Sequence, residues 1–225
     1  MNVPTTALAV TVASVDGVTA TGVHWRMGSW RTAGDVRGRH ELARRWAREL
    51  VTGRLGRDWE GFAPREPGRK PRLLASPGVD VSISHGDDTL LVAVVGSGLV
   101  GADVEDEPFT AFDAPSLIRR MCSPAELTEL AALAGRDVPW ALRRRVLAGA
   151  WTVKEARLKA RGVGLAEDPR SVEVDLAGLA AGAAASGPAV AIVHLVDGRA
   201  VVEHPGNDEA PSAWEGAPGG RGDRI

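Results

Sequence analysis

Two hydrophobic periods divide this chain into segments. Between Gly34 and Gly56, Leu42, Trp46 and Leu50 recur at helical spacing, with Ala43 and Ala47 beside them. The opposite face carries Arg39, Arg44, Arg45 and Arg48, so the spacing predicts an amphipathic helix with the last three in solvent. At Val79 the period falls to two. Val79, Val81 and Ile83 alternate with Asp80, Ser82 and Ser84, as in a strand with one apolar face. Leu90 to Val95 is an unbroken apolar run, read as a buried strand, and a further strand reaches Glu105. Ala7 to Val15 alternates loosely and also reads as a strand. "GFAPREPGRKPRLLASPG", rich in Gly and Pro, reads as a loop.

Helical spacing returns at "SPAELTELAAL". Ser123 is an N-cap candidate, Pro124 suits the first turn, and Glu126 completes a capping box. "VLAGAWTVKEARLKARG" is a second helix of this part, stopped at Gly162 with Lys159 and Arg161 in its last turn. "SVEVDL", "AVAIVHLV" and "RAVVEH" read as late strands. The order predicts an α+β fold of two similar halves: residues 1–99, then 100–204 with the candidate metal site, then a mobile tail at 205–225 rich in Gly, Pro and charge.

Composition narrows the function. A net charge of −2 gives no basic surplus for nucleic acid, so anion binding would have to come from local Arg and Lys clusters. The single cysteine, Cys122, cannot form an internal disulfide, which suits the cytoplasm. Its place before a helix start fits a small, partly buried residue better than a nucleophile. The N-terminal apolar run has no preceding Lys or Arg, against a signal peptide, and no apolar stretch is long enough to span a membrane.

Four clusters carry candidate chemistry. In "VGADVEDE", Asp103 and Glu105 lie two apart and share one face of an extended chain. Two such carboxylates suit a hard cation such as Mg²⁺, although a solvated acidic turn reads the same way. In "WTVKEARLKARG", Glu155 and Lys159 are spaced for a surface ion pair, or for a third carboxylate and a cation at the same site. In "SISHG", Ser84 and His85 point to opposite faces, against a nucleophile–base dyad but compatible with phosphate binding at a loop. Arg39 and Lys70 are the basic candidates.

In order, "GRKP", "SISHG", "VGADVEDE" and "WTVKEARLKARGVGL" resemble the motifs of 4'-phosphopantetheinyl transferases of the surfactin-activating type. The resemblance spans Arg39 to Leu165. It implies two pseudo-symmetric α+β halves with coenzyme A in the cleft between them, in a monomer. It also implies an enzyme of the holo-[acyl-carrier-protein] synthase type, moving the 4'-phosphopantetheine arm to a Ser hydroxyl of an acyl or peptidyl carrier protein domain and releasing adenosine 3',5'-bisphosphate. Carried over, Asp103, Glu105 and Glu155 would hold Mg²⁺. Lys159 would contact the attacked phosphate, Ser84 and His85 would bind phosphates of coenzyme A, and Lys70 and Arg39 would match its basic contacts. Glu155, Lys159 or a water on the metal are the candidate bases. Arg69 in place of Gly, Gly38 in place of His, and Ala102 in place of a bulkier residue depart from the pattern without removing a ligand.

A Mg²⁺-dependent phosphohydrolase or nucleotidyl transferase would use the same acids but leave "SISHG" and the end of the second helix unexplained. A non-catalytic module binding coenzyme A or a carrier, or a purely structural domain, leaves the complete acid set without purpose. Phe109, Phe112, Leu117 and Met121 are either an apolar patch for a carrier helix or core. Carriers of fatty acid, polyketide or nonribosomal peptide synthesis are equally compatible.

Overall fold

A computed structural model describes residues 14–64, 70–74, 76–183 and 186–205. Within these residues seven strands form two antiparallel sheets. The first holds β1 (Ser14–Val18), β2 (His24–Ser29), β3 (Asp80–His85) and β4 (Thr89–Val95) in the order β1-β2-β4-β3. The second holds β5 (Leu99–Glu105), β6 (Ala189–Val196) and β7 (Arg199–Glu203) in sequence order. Five helices complete a mixed α+β fold: α1 (Val36–Gly53), α2 (Pro115–Met121), α3 (Pro124–Gly135), α4 (Trp140–Arg161) and α5 (Leu176–Ala181).

The layers run helix, sheet, sheet, helix. Helix α1 lays Leu42, Trp46, Leu50 and their neighbours on Val81, Leu90, Val92 and Val94, while Arg44, Arg45 and Arg48 stay exposed as their spacing predicts. The other face of β4, Leu91, Ala93 and Val95, packs on Val100, Ala102 and Val104 of β5 and on Val190 and Ile192 of β6. Burial on both faces therefore explains why β4 is apolar at every position from Leu90 to Val95. Helix α4 covers the far side of the second sheet, with Val153, Ala156 and Ala160 against Ala191 and Val193.

Between the sheets runs a polar seam. The edge of β5 that faces β3 meets side chains instead of another strand. Val100 N donates to Asp80 Oδ2 (2.7 Å) and Ala102 N donates to Ser82 Oγ (2.9 Å). The polar side of the alternating strand thus satisfies a buried strand edge, and Ser82 is buried.

The capping box forms: Ser123 Oγ accepts from Glu126 N, and Glu126 Oε2 accepts from Ser123 N. Gly162 ends α4 at φ 72°, in the left-handed region. "SVEVDL", in contrast, is not a strand. Its backbone is satisfied by side chains from helices, with Val174 N donating to Glu126 Oε1, Leu176 N to Glu129 Oε2, and Val172 O accepting from Lys154 Nζ. With those partners it needs no sheet, and α5 starts at its last residue. The first expected strand overlaps β1 at Ser14 and Val15, its earlier residues, Arg69 and the segment 206–225 lying outside the described residues. Among the described residues no helix is long and apolar enough to cross a membrane. Phe109, Phe112 and Met121 are buried with Cys122 in the core under α2, α3 and α4, and Leu117 packs against it. They are core and not an exposed patch. Burial, followed by the charge of Glu126, pushes the Cys122 thiol up to about 11, so it is not a nucleophile at neutral pH.

Candidate active site

The acidic cluster exists because α4 lies unusually close to β5. Gly101, Asp103 and Glu105 share one face of the strand, toward α4. A Cβ on Gly101 would stand 1.8 Å from the carbonyl oxygen of Ala156 and 2.6 Å from Ala160 N. Only a residue without a side chain allows that approach. It brings Glu155 and Lys159 of α4 over Asp103. Around them, Val153 packs on the second sheet, Leu158 is fully buried and Trp151 packs against the helical core, fixing the helix's rotation.

Asp103 is buried, with 4% of its surface exposed. Its Oδ1 accepts from Lys159 Nζ (2.5 Å) and from Ser84 Oγ (2.7 Å), and Lys159 also donates to Ser84 Oγ (3.0 Å). The Lys159 ammonium stands 3.8 Å from Glu155 Oε2, so the expected pair on one helix is present but secondary to the contact with Asp103. Three elements, β3, β5 and α4, thus supply one cluster.

One cation does not balance three carboxylates. Burial, then the charges of Asp103 and Glu155, push Glu105 up to about 7, with Lys159 and Trp151 opposing. Burial also raises Glu155, against the pull of Lys159. Asp103 Oδ2 is buried without a hydrogen-bond partner. Among the described residues no group of three or more His, Cys, Asp and Glu side chains is gathered as a preformed metal cage. The donor set nevertheless fits a hard dication by its chemistry: all-oxygen donors, mutual repulsion that a cation would relieve, and one buried lone-pair donor left over.

A cavity of about 520 Å³ opens beside the cluster. Glu105 lines it with His85 and Arg39, and Phe109 and Phe112 form its apolar side. Arg39 stacks its guanidinium over the Trp30 ring at 4.9 Å, and its Nε is buried without a hydrogen-bond partner. The Trp30 indole donates to Gly86 O (3.2 Å), tying this pair to the turn after His85. Burial, then the positive charges of Arg39 and Lys159, lower the pKa of His85. Lys70 lies elsewhere. It donates to Asp80 and to Val100 O in the seam between the sheets, and burial lowers its pKa.

Two residues acquire roles that the sequence did not suggest. Asp106, within an apparently solvated acidic turn, accepts from Asp88 N (2.8 Å), Thr89 N (3.0 Å) and Thr89 Oγ1 (2.5 Å), which holds the β3–β4 turn carrying His85 against the end of β5. Lys154, next to Glu155, is fully buried and points away from the cluster to Glu126 Oε1 at 2.8 Å. Its signal in the sequence was a Lys on an otherwise apolar helix face.

Residues 99–195 match the family model described as the 4'-phosphopantetheinyl transferase superfamily, and the chain carries a domain of that family over this range. The matched range contains Asp103, Glu105, Glu155 and Lys159, and excludes Arg39, Lys70, Ser84 and His85. No curated protein matches the chain.

Proposed function

We propose that this chain, with its phosphopantetheinyl transferase superfamily domain at residues 99–195, transfers the 4'-phosphopantetheine arm of coenzyme A to a Ser hydroxyl of an acyl or peptidyl carrier protein domain. The observation that carries the reading is the juxtaposition of the Asp103–Lys159–Glu155 cluster with a cavity lined by Arg39, His85 and Glu105. One end is suited to a reacting phosphate and the other to the remaining phosphates of one substrate.

The reaction forms a bond from the Ser oxygen to the phosphorus that bears the pantetheine arm. It breaks that phosphorus's bond to the bridging pyrophosphate oxygen, and adenosine 3',5'-bisphosphate leaves. The Ser proton needs an acceptor. Lys159 Nζ is already engaged by Asp103 and Ser84, so Glu155 is the proposed base. Lys159 then orients the attacked phosphate, and Arg39, held over Trp30, offers a planar fork to a phosphate in the cavity. His85, with its pKa lowered, serves as a neutral hydrogen-bond donor to phosphate. Asp103, Glu105 and Glu155 would hold Mg²⁺, which when bound neutralises charge on the pyrophosphate. Ser84 fixes Asp103, and Lys70 supports the seam.

Incubation of the protein with coenzyme A, Mg²⁺ and an apo carrier tests this. The carrier's mass should rise by one phosphopantetheine arm, and Glu155→Ala should lower the rate by about 10²-fold or more. Wild-type loading by Glu155→Ala at saturating Mg²⁺ would overturn the assignment of the base. Adenosine 3',5'-bisphosphate released without a carrier would show a hydrolase instead.

A further inference from the structure

Helix α4 carries a second constellation on its other face. Val146, Gly149, Val153 and Arg157 follow one another at spacings of three, four and four, a single helical stripe. Arg157 is two residues from Glu155 and from Lys159, so it projects from the side opposite the catalytic cluster. The stripe lines an open cavity of about 400 Å³ bordered by α5, β6 and β7. Leu179, Val190 and Val202 make its wall apolar, and its size suits a small molecule.

Two features of the lining bear on what the space could hold. Gly149 lies in the middle of a 22-residue helix, where Gly costs roughly 1 kcal/mol against Ala. A Cβ there would already touch Leu179 Cδ1 at 3.6 Å, so a longer side chain would enter the cavity. Arg157 lines the cavity with its Nε buried and without a hydrogen-bond partner. The other basic side chains of the lining are engaged. Arg145 donates to Gly187 O and Glu107, and His204 Nδ1 is bonded to Val190 O. Of the nearby carboxylates, Asp175 caps α5 through Gly178 N, and Glu173 is exposed at the rim. Among the described residues Arg157 makes no ion pair. A buried guanidinium N–H left without an acceptor is costly, and a carboxylate matches the fork of this half-buried side chain.

We infer that this back face of α4 is a binding site for a small amphipathic monocarboxylate, its carboxylate on Arg157 and its apolar body against Val153, Leu179 and Val202. A doubly charged phosphate is disfavoured, since Glu173 and Asp175 border the same opening. The inference does not depend on the transferase reading, because none of these groups belongs to the catalytic cleft.

Calorimetric titration of the full chain with octanoate, octanol, octylamine and inorganic phosphate provides the test. Octanoate should bind saturably at one site and raise the unfolding temperature. Octanol, octylamine and phosphate should each bind at least about tenfold more weakly. Arg157→Met should weaken octanoate by about tenfold or more while leaving binding of the uncharged octanol unchanged, and Gly149→Leu should remove both by filling the cavity. Circular dichroism and a cooperative unfolding transition like that of wild type would show that each variant is folded. No saturable octanoate binding, equal binding of octanoate and octanol, or unchanged octanoate affinity in Arg157→Met would overturn the inference.

Discussion

Replacing Gly101 with Ala is the smallest change that should separate the two walls of the site. The added methyl carbon would stand 1.8 Å from Ala156 O and 2.6 Å from Ala160 N. Both are backbone atoms of α4, so no side chain can swing aside. Ordinary contact needs about 3.4 Å, and α4 must therefore move out by about 1.6 Å. The hydrogen bond from Lys159 to Asp103, now 2.5 Å, would open to about 4 Å, beyond bonding range. A misplacement of roughly 1 Å can cost 10²-fold in rate, so kcat/KM for carrier loading should fall by at least about that factor. Overpacking typically costs about 1–3 kcal/mol, and a backbone clash belongs at the upper end. At about 2–4 °C per kcal/mol for a chain of this size, the unfolding midpoint should drop by about 6–12 °C. Both quantities are measurable on one preparation, by mass-resolved loading and by calorimetry. Gly53→Ala is the control, since nothing lies within 4 Å of the Cβ it adds. Loading within about twofold of wild type and an unchanged midpoint in Gly101→Ala would refute the close approach of α4 to β5 as the device that builds the site.

Three further outcomes follow from named contacts. Lys154→Met leaves Glu126 buried without its cation, and about 3–5 kcal/mol should be lost in denaturant unfolding. Ser82→Ala strips the acceptor from the buried Ala102 N and should cost about 1–3 kcal/mol by the same assay. His85 should titrate below 6.5 by NMR, and Arg39→Met should move its midpoint upward. Its folded pKa lies under the unfolded value, so the unfolded chain binds more protons between the two. Stability should then fall as pH drops from about 6.5 toward the folded midpoint, and His85→Asn should flatten that slope.

The strongly periodic segments were legible because their period reports burial directly. Leu42, Trp46 and Leu50 could serve only one helix face, and Leu90 to Val95 had no polar position to give to solvent. The capping box and Gly162 were legible because they are local, with each partner within three or four residues in sequence. "SVEVDL" misled for the complementary reason. Its alternation was real, but its hydrogen-bond partners, Glu126, Glu129 and Lys154, lie between 18 and 48 residues away on helices. No local pattern distinguishes a strand from an extended segment whose backbone is satisfied by distant side chains.

The same distinction governs the site. The sequence named Asp103, Glu105, Glu155 and Lys159 as chemistry, and it could not say what would hold them together. That work falls to residues whose types look unremarkable in sequence. Gly101 lets α4 approach, Ser82 and Asp80 satisfy the edge of β5, Lys154 pins α4 to the capping box of α3, and Asp106 holds the turn behind His85. Lys154 and Glu155 are adjacent on one helix yet serve opposite ends of this arrangement, one buried against Glu126 and the other facing Lys159. A charged residue beside a candidate site residue is therefore not itself evidence of chemistry. The direction of its side chain from the helix decides. In α4 that direction separates the face that meets Asp103 from the contact with Glu126 and from the Arg157 cavity.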